Sequence, residues 1–259
     1  MSDINAILTI AYRDFLKLIR DKQRMIFSLI FPLIFVAALG GSLNANLAQD
    51  VGYNLLTFVF IGIIGQTLFQ TTASGVISLI EDRENDFSQE IFVSPISRYS
   101  IITGKVLGES LVGLVQLISI IIMGFVIGVP IILPNLLMIL PFCLLVCLLG
   151  GSFGIFVLSN LSSQRSANQV FPFIMFPQFF LSGVFTPIKN LPIVLFILSR
   201  ISPMTYAVDL IRGIYYKGMP EYSKVVLHPA VFNILVLVAM VTVFISVGTY
   251  FFIKNERNR

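Results

Sequence analysis

The chain has 259 residues, of which 56% are hydrophobic and 12% are charged, and its formal net charge is +4. Soluble domains usually carry about 25% charged residues. The composition, with a mean hydropathy of +0.93, therefore excludes an ordinary soluble protein and indicates an integral membrane protein. Two cysteines, Cys143 and Cys147, share one apolar run and predict packing rather than redox chemistry.

Residues 1–24 predict an amphipathic helix that lies on the inner membrane surface. Apolar residues recur there at helical spacing, and the basic residues fall largely off that stripe, as in interfacial helices. A helix that only anchors the first span is a compatible alternative. The stripe comprises Ile4, Ile7, Leu8, Ala11, Phe15 and Leu18, and the basic residues are Arg13, Lys17 and Arg20.

Six apolar runs approach or exceed the roughly 20 residues that a spanning helix needs. They predict an all-α membrane protein whose six-span domain covers 25–259. Residues 171–201 also contain four prolines (Pro172, Pro177, Pro187 and Pro192), which predict broken, re-entrant backbone after the fifth span. The predicted spans are 25–43, 55–80, 101–129, 133–158, 170–185 and 230–253.

Lysine and arginine in the short flanks set the predicted orientation. They occur before the first span and after the second, fourth and sixth, but are absent from 44–54 and 130–134. Both termini and the loop 81–100 are therefore predicted to be cytoplasmic. The segment 186–229 is predicted to be external. It departs from the rule, which constrains long segments weakly, by carrying Lys189, Arg200, Arg212, Lys217 and Lys224.

The most informative feature is a cluster of charge between the second and third predicted spans. Residues 111–163, by contrast, contain no acidic or basic side chain. A charge at the bilayer centre costs several kcal/mol, so the cluster stands in water, where a soluble partner could grip it. A solvated turn that only maintains topology is the alternative. The cluster comprises Glu81, Asp82, Arg83, Glu84, Asp86, Glu90 and Arg98.

The sequence lacks recognisable catalytic motifs. Gly104-Lys105 has no upstream glycine to complete a phosphate-binding loop, so the chain is not expected to hydrolyse ATP. The single histidine, His228, predicts neither a metal site nor a catalytic base. Lys105 and Glu109 stand four residues apart near one end of the third span, and we expect them to snorkel to the interface as a pair. The absence of charge deeper in the spans argues against proton-coupled transport.

Four elements resemble the type-2 permeases of ATP-binding-cassette exporters, particularly the daunorubicin-resistance permease family. Asp86 stands where members often have glycine. The elements are Arg20-Asp21-Lys22 before Phe31-Pro32-Leu33; Asp82-Arg83-Glu84 with Phe87, Glu90, Val93-Ser94-Pro95-Ile96-Ser97-Arg98 and Gly104-Lys105; Leu181-Ser182-Gly183-Val184-Phe185 with Pro187 and Leu191-Pro192; and Ser202-Pro203-Met204-Thr205-Tyr206 with Asp209 and Arg212.

The resemblance implies a half-transporter that pairs with a second copy or a related permease, above two separate ATPase subunits. Those subunits would bind ATP and Mg, and this chain would bind no cofactor directly. An interface helix would include Arg13, Phe15, Lys17 and Arg20. A coupling helix seated in a groove of the ATPase would use Glu81, Asp82, Arg83, Glu84, Phe87, Glu90, Ile91, Phe92, Pro95 and Arg98. External re-entrant elements would carry Pro203, Tyr206, Asp209 and Arg212.

In such a fold the second and fifth spans would face the dimer axis. Phenylalanine there suits amphiphilic or lipid-like cargo, including drugs, although lipid-facing packing explains it equally well. The setting implied is the inner (plasma) membrane of a prokaryote. Two alternatives stand: a permease for polysaccharide or lipid-linked glycan, and a non-transporting scaffold that binds an ATPase. The candidate path residues are Phe58, Gln66, Phe69, Gln70, Phe173, Phe176 and Phe180.

Overall fold

The computed structural model of the protein describes residues 3–20, 30, 34, 36, 52–84, 97–161 and 163–257. Within these ranges the regular structure is entirely helical, which confirms the predicted all-α fold. The helices are α1 (Asp3–Arg20), α2 (Leu55–Gly75), α3 (Ser78–Glu84), α4 (Arg98–Ile127), α5 (Leu133–Leu158), α6 (Gln164–Leu181), α7 (Ile193–Ile201), α8 (Pro203–Tyr215), α9 (Tyr222–Val225) and α10 (Ala230–Arg257), with a 3-10 turn at Ile188–Asn190.

Four segments of the described chain are long and apolar enough to cross a membrane. They correspond to the second, third, fourth and sixth predicted spans. The first predicted span, 25–43, lies outside the described residues apart from three isolated positions, so the count of six stays a prediction. The four segments are Leu55–Asp82, Arg98–Ile127, Leu133–Leu158 and Tyr222–Asn255.

The fifth predicted span corresponds to α6. This helix is not among the segments that are long and apolar enough to span, because its first turns carry polar side chains. Pro172 and Pro177 lie inside α6, so these two prolines do not interrupt the backbone as expected. Pro187 and Pro192 do, since they directly precede the 3-10 turn and α7.

Broken backbone is observed where α7 meets α8. The two helices share Ser202 as C-cap and N-cap and are bent by 89°, which makes the pair either a fifth, broken span or a re-entrant element. This bend lies within the segment 186–229, for which the resemblance implies re-entrant elements.

Helix α2 lies at the centre of the bundle, in contact with α4, α5 and α8. Nearly all of its side chains are buried, including Phe58 and Phe69. Helix α5 approaches it through Gly150 and Gly154, where an added Cβ atom would overlap the backbone of Phe69 and Ala73. Small residues at this spacing let membrane helices pack backbone to backbone, so close packing holds the bundle together.

Helix α1 confirms the predicted amphipathic helix, but it buries only part of the expected stripe. Ala11 is buried, whereas Ile4 and Leu8 are 67% and 61% exposed. Tyr12, also exposed, follows them at helical spacing and shares their face. This exposed apolar face is available to the membrane surface.

The opposite face of α1 packs on two glycines of α4. An added Cβ atom on Gly104 would lie 3.0 Å from the Ile7 carbonyl oxygen, and one on Gly108 would lie 3.1 Å from the Cα atom of Ala11 and the Cβ atom of Asp14. Side chains larger than hydrogen would therefore separate the two helices. The close contact with α1 explains why a glycine fits at position 104, in the glycine-lysine pair quoted above.

We expect Gly108→Leu to lift α1 from α4 and to destabilise the protein by about 1–3 kcal/mol, as overpacking usually does. Tryptic cleavage after Arg13 and Lys17 should accelerate, while cleavage after Lys217, at the other end of the bundle, should not change. Gly108→Ala adds one methyl group and should have a smaller effect. Equal cleavage rates in all three proteins would contradict the close contact.

Candidate functional site

The inner half of an ion-pair chain lies between α1 and α4. Lys105 Nζ is 2.8 Å from Asp14 Oδ2 and 3.6 Å from Glu109 Oε1. The side chains of Lys105 and Asp14 are each 1% exposed, and that of Glu109 is 3% exposed. The prediction that Lys105 and Glu109 snorkel to the interface is therefore wrong, because Asp14 holds the ammonium group inside the protein.

The outer half continues from Asp14 to the end of the second span. Arg13 Nη2 donates to Asp14 Oδ1 at 3.2 Å and to Asp82 Oδ2 at 2.6 Å, and Lys17 Nζ donates to Asp82 Oδ1 at 3.1 Å. Only Lys17 is largely exposed in this half, and an exposed pair contributes about 0–1 kcal/mol, so its bond to Asp82 fixes geometry more than it adds stability. The complete ion-pair chain is Glu109, Lys105, Asp14, Arg13, Asp82 and Lys17.

Electrostatics keep Arg13 charged at the centre of the ion-pair chain. Partial burial by itself would lower the pKa of Arg13, but the carboxylates of Asp14 and Asp82 outweigh that effect and raise its pKa. The charged guanidinium group therefore bridges α1 and α3. Three acids and three bases alternate along the ion-pair chain, so its formal charges cancel.

The ion-pair chain joins the helices on both sides of the charged loop. Asp82 lies in α3, which leads into the loop, and Lys105 lies in the first turns of α4, which follows the loop. Both side chains are held by consecutive residues of α1, Arg13 and Asp14. Because these contacts are short and partly buried, a movement of either end of the loop would be transmitted to α1.

Glu109 also lies against the break in the second span. Helix α2 ends at Gly75 and α3 begins at Ser78, and an added Cβ atom on Gly75 would overlap the Glu109 carboxylate. A larger residue at this position would require the Glu109 carboxylate to move. The residue that pairs with Lys105 therefore also packs on the junction between α2 and α3.

The structure describes part of the predicted coupling set. Glu81 is exposed, Asp82 is bound by α1, and Arg98 is half-buried at the start of α4. The grip of a partner on the loop stays a prediction. The side chains of Arg83 and Glu84, and residues Phe87, Glu90, Ile91, Phe92 and Pro95, lie outside the described residues.

The four predicted interface-helix residues differ in their contacts and exposure. Arg13 and Lys17 bind Asp82, so the structure brings the interface and coupling sets together. Phe15 is half-buried, and Arg20 is exposed in the last turn of α1.

At the opposite end of the bundle, the predicted external motif forms a second polar network around Asp209. This buried carboxylate accepts from the backbone N–H groups of Leu227 and His228 and from Asn233 Nδ2, each at 2.8 Å. Asp209 thereby ties α8 to the start of α10.

Two other residues of the external motif stabilise the bend between α7 and α8. Pro203 is buried in the first turn of α8, where the missing N–H group is not needed. The Tyr206 hydroxyl donates to the Arg200 carbonyl of α7 at 2.8 Å. The Arg200 guanidinium contacts the His228 ring, which joins α7 to the segment before α10.

Arg212 is the most deeply buried charge of the external motif. Its Nη1 donates to the Gly183 carbonyl at 3.0 Å, and its Nη2 lies 3.3 Å from the Phe58 carbonyl and 3.4 Å from the Val184 carbonyl. The guanidinium carbon lies 3.7 Å from the centroid of the Phe58 ring. Gly62 makes room, since an added Cβ atom there would lie 2.7 Å from Nη2. Arg212 thus joins α8, the end of α6 and the start of α2.

The candidate path residues do not lie on one surface. Phe58, Gln66 and Phe69 are buried inside the bundle, and Gln66 donates to Gln70 at 2.8 Å. On α6, by contrast, Phe173, Phe176 and Phe180 are 82%, 69% and 56% exposed. Their assignment to a substrate path stays a prediction.

Two residues of these networks are not among the site residues predicted from the sequence. Asp14 follows Ile7 and Ala11 at helical spacing on the face that packs on α4, and an acid in that position is a signal for a buried partner. Asn233, in the first turn of α10, carries no comparable signal, because its partner Asp209 lies on a different helix.

These features define a multi-pass membrane protein whose charged loop is anchored by an amphipathic helix. The chain belongs to the ABC-2 type transporter family, whose model matches residues 5–216. This match confirms the resemblance to type-2 permeases. Family membership implies that the chain is the transport component of a system whose ATPase is a separate subunit.

Several curated relatives are permeases by name. The chain is 25% identical over 236 residues to a transport permease named ycf38 from Cyanophora paradoxa, covering 89% of this chain and 81% of the relative. It is 27% identical over 218 residues to the ycf38 protein of Porphyra purpurea, covering 82% and 74%. The chain is also 28% identical over 144 residues to YbhR of Escherichia coli (strain K12), which is named as a multidrug ABC transporter permease. The match covers 54% of this chain and 38% of the relative.

Proposed function

We propose that the chain is the membrane subunit of an ATP-driven exporter for an amphiphilic or lipid-like compound, with drugs among the candidates. A separate ATPase subunit would bind ATP and Mg and grip the loop 81–98, and this chain would hydrolyse no ATP. The observation that carries the proposal is the ion-pair chain, which fastens both ends of that loop to α1. Force applied to the loop would then reach the second and third spans together.

The distribution of basic residues supports placing α1 and the loop in the cytoplasm of a prokaryotic cell. Arg13, Lys17 and Arg20 of α1, and Lys254 near the end of α10, flank spans on the side of the loop. Such an excess is typical of cytoplasmic flanks. The ATPase would therefore meet the loop on the side where ATP is available.

The exposed face of α6 supports a second copy of the chain, or a related permease, as partner. This face carries the exposed phenylalanines of α6 and, nearer its start, exposed Asn168 and Gln169. Amides are unfavourable against lipid tails, whereas a partner helix or a polar path would satisfy them. An amphiphile has both an apolar and a polar part, so this mixed lining suits it.

The first test is co-purification with the ATPase encoded beside this chain. The wild-type chain should retain that ATPase, and the complex should hydrolyse ATP faster when substrate is added. The double reversal Arg83→Glu with Glu84→Lys should abolish retention or coupling without unfolding the spans, because it inverts the charges presented to the partner.

The matched control is Lys217→Glu with Glu221→Lys, the same exchange at the opposite end of the bundle, which should retain the ATPase. Failure of the wild-type chain to bind any ATPase would overturn the exporter assignment. Binding without substrate-stimulated hydrolysis would instead indicate a scaffold. Normal transport by the loop variant would refute the coupling role of the loop.

A further inference from the structure

The segment 186–229, which is proposed to be external, carries a net positive charge. The segment contains five basic residues but only two acidic ones, Asp209 and Glu221. An excess of cations at this end of the bundle suggests that they have an anionic partner.

A small cleft collects three of these cations. It lies between the 3-10 turn and the residues that follow α9, and it is lined by Lys189, Arg212 and Lys224 together with Asp209 and apolar residues of 187–188 and 225–227. The charges of the lining sum to +2. Asp209 already accepts three hydrogen bonds, so its oxygens are turned to those donors.

The cations of the cleft retain free donors. Lys189 Nζ donates to the Ser223 carbonyl at 2.8 Å, and Lys224 Nζ lies 3.5 Å from the Gly52 carbonyl. Each ammonium group has three N–H donors, and neither makes an ion pair with a described acidic side chain. Arg212 Nε is buried and has no hydrogen-bond partner among the described residues. Three cationic groups with spare donors suit a phosphate group, which has several acceptor oxygens.

An apolar surface begins next to the cleft. Helix α7 starts shortly after the 3-10 turn, and its Ile193, Val194 and Ile201 are 70%, 64% and 70% exposed. A headgroup held by Lys189 would therefore leave its acyl chains close to α7. The cleft and α7 together match the two parts of an anionic lipid.

We propose that this cleft binds the phosphate headgroup of an amphiphile whose acyl chains lie along α7. The site lies at the end of the bundle opposite the ion-pair chain. It requires no ATPase, so its test is independent of the exporter assignment.

The test measures binding of dioctanoyl phosphatidic acid to the purified full chain in detergent, by titration calorimetry. Lys189→Gln with Lys224→Gln should weaken binding about tenfold or more, because each basic residue near an anionic lipid surface contributes about 1 kcal/mol to the binding free energy. Lys217→Gln, an exposed lysine of the same segment outside the cleft, should leave binding unchanged. Unchanged thermal unfolding would show that both variants are folded.

Two further probes distinguish the ligand's parts. Dioctanoylglycerol, which has the same chains and no phosphate, should bind weakly and without dependence on Lys189 and Lys224. Inorganic phosphate should bind more weakly than the lipid. Equal affinity for inorganic phosphate would overturn the amphiphile in favour of a free anion, and equal lipid binding by the double variant and the wild type would overturn the site.

Discussion

Replacing Lys105 by methionine is expected to destabilise the protein by about 3–5 kcal/mol, the usual cost of removing one member of a buried ion pair. Methionine has similar length but no charge, so Asp14 and Glu109 would face each other inside the protein with no cation between them. Helix α1 should separate from α4 as these carboxylates reach water. Retention of the ATPase should fall with it.

Thermal unfolding in detergent and co-purification with the ATPase measure the two effects. Lys17→Met is the matched control, because Lys17 pairs with Asp82 at 3.1 Å but is 52% exposed, and it should cost no more than about 1 kcal/mol. Adding Asp14→Asn and Glu109→Gln to Lys105→Met should recover part of the stability, since it removes the repulsion between two buried like charges. Equal stability of Lys105→Met and Lys17→Met would contradict the buried role of Lys105.

The spans were predictable where composition alone decides them. Residues 133–158 form an apolar run that begins beside Pro134 and stops before Asn160, and α5 has those bounds. The fifth predicted span shows the limit. Proline is tolerated inside a membrane helix when neighbouring groups satisfy the freed carbonyl groups. Pro172 and Pro177 therefore lie inside α6 and do not mark its ends.

The ion-pair chain was less predictable because its pairs join distant parts of the sequence. Hydrophobic periodicity predicts α1, but Gly104 and Gly108 of α4 decide which face is buried, and that face carries Asp14. When this contact is not known, the sequence spacing of Lys105 and Glu109 predicts an exposed ion pair on one helix face. The external motif was recognisable as a pattern, yet the partners of Asp209 are mostly backbone N–H groups, which leave no trace in the sequence.

The two polar networks hold opposite ends of the same central helix. Asp82 continues the second span beyond α2 and is held by α1, while Phe58 in the first turns of α2 is held by Arg212. A displacement of the loop would therefore be resisted, or transmitted, at both ends of α2. Variants at the two ends should differ in which function they lose.

Arg212→Met is expected to cost about 2–6 kcal/mol, because it removes the Arg212 donors from the buried Gly183 and Val184 carbonyls and each buried unsatisfied group costs about 1–3 kcal/mol. It also removes the cation from the face of the Phe58 ring. Thermal unfolding in detergent should show the loss, whereas retention of the ATPase should persist, since that contact lies at the other end of the bundle.

Two further variants separate charge from geometry at this position. Arg212→Lys keeps the charge, but one ammonium group cannot match the planar fork of the guanidinium, so its stability should fall between Arg212→Met and wild type. Lys217→Met makes the same kind of substitution at an exposed cation nearby and should unfold like wild type. If Arg212→Met lost the ATPase as fully as Lys105→Met does, the two ends of α2 would not act separately, and the assignment of ATPase retention to the loop end of the bundle would fail.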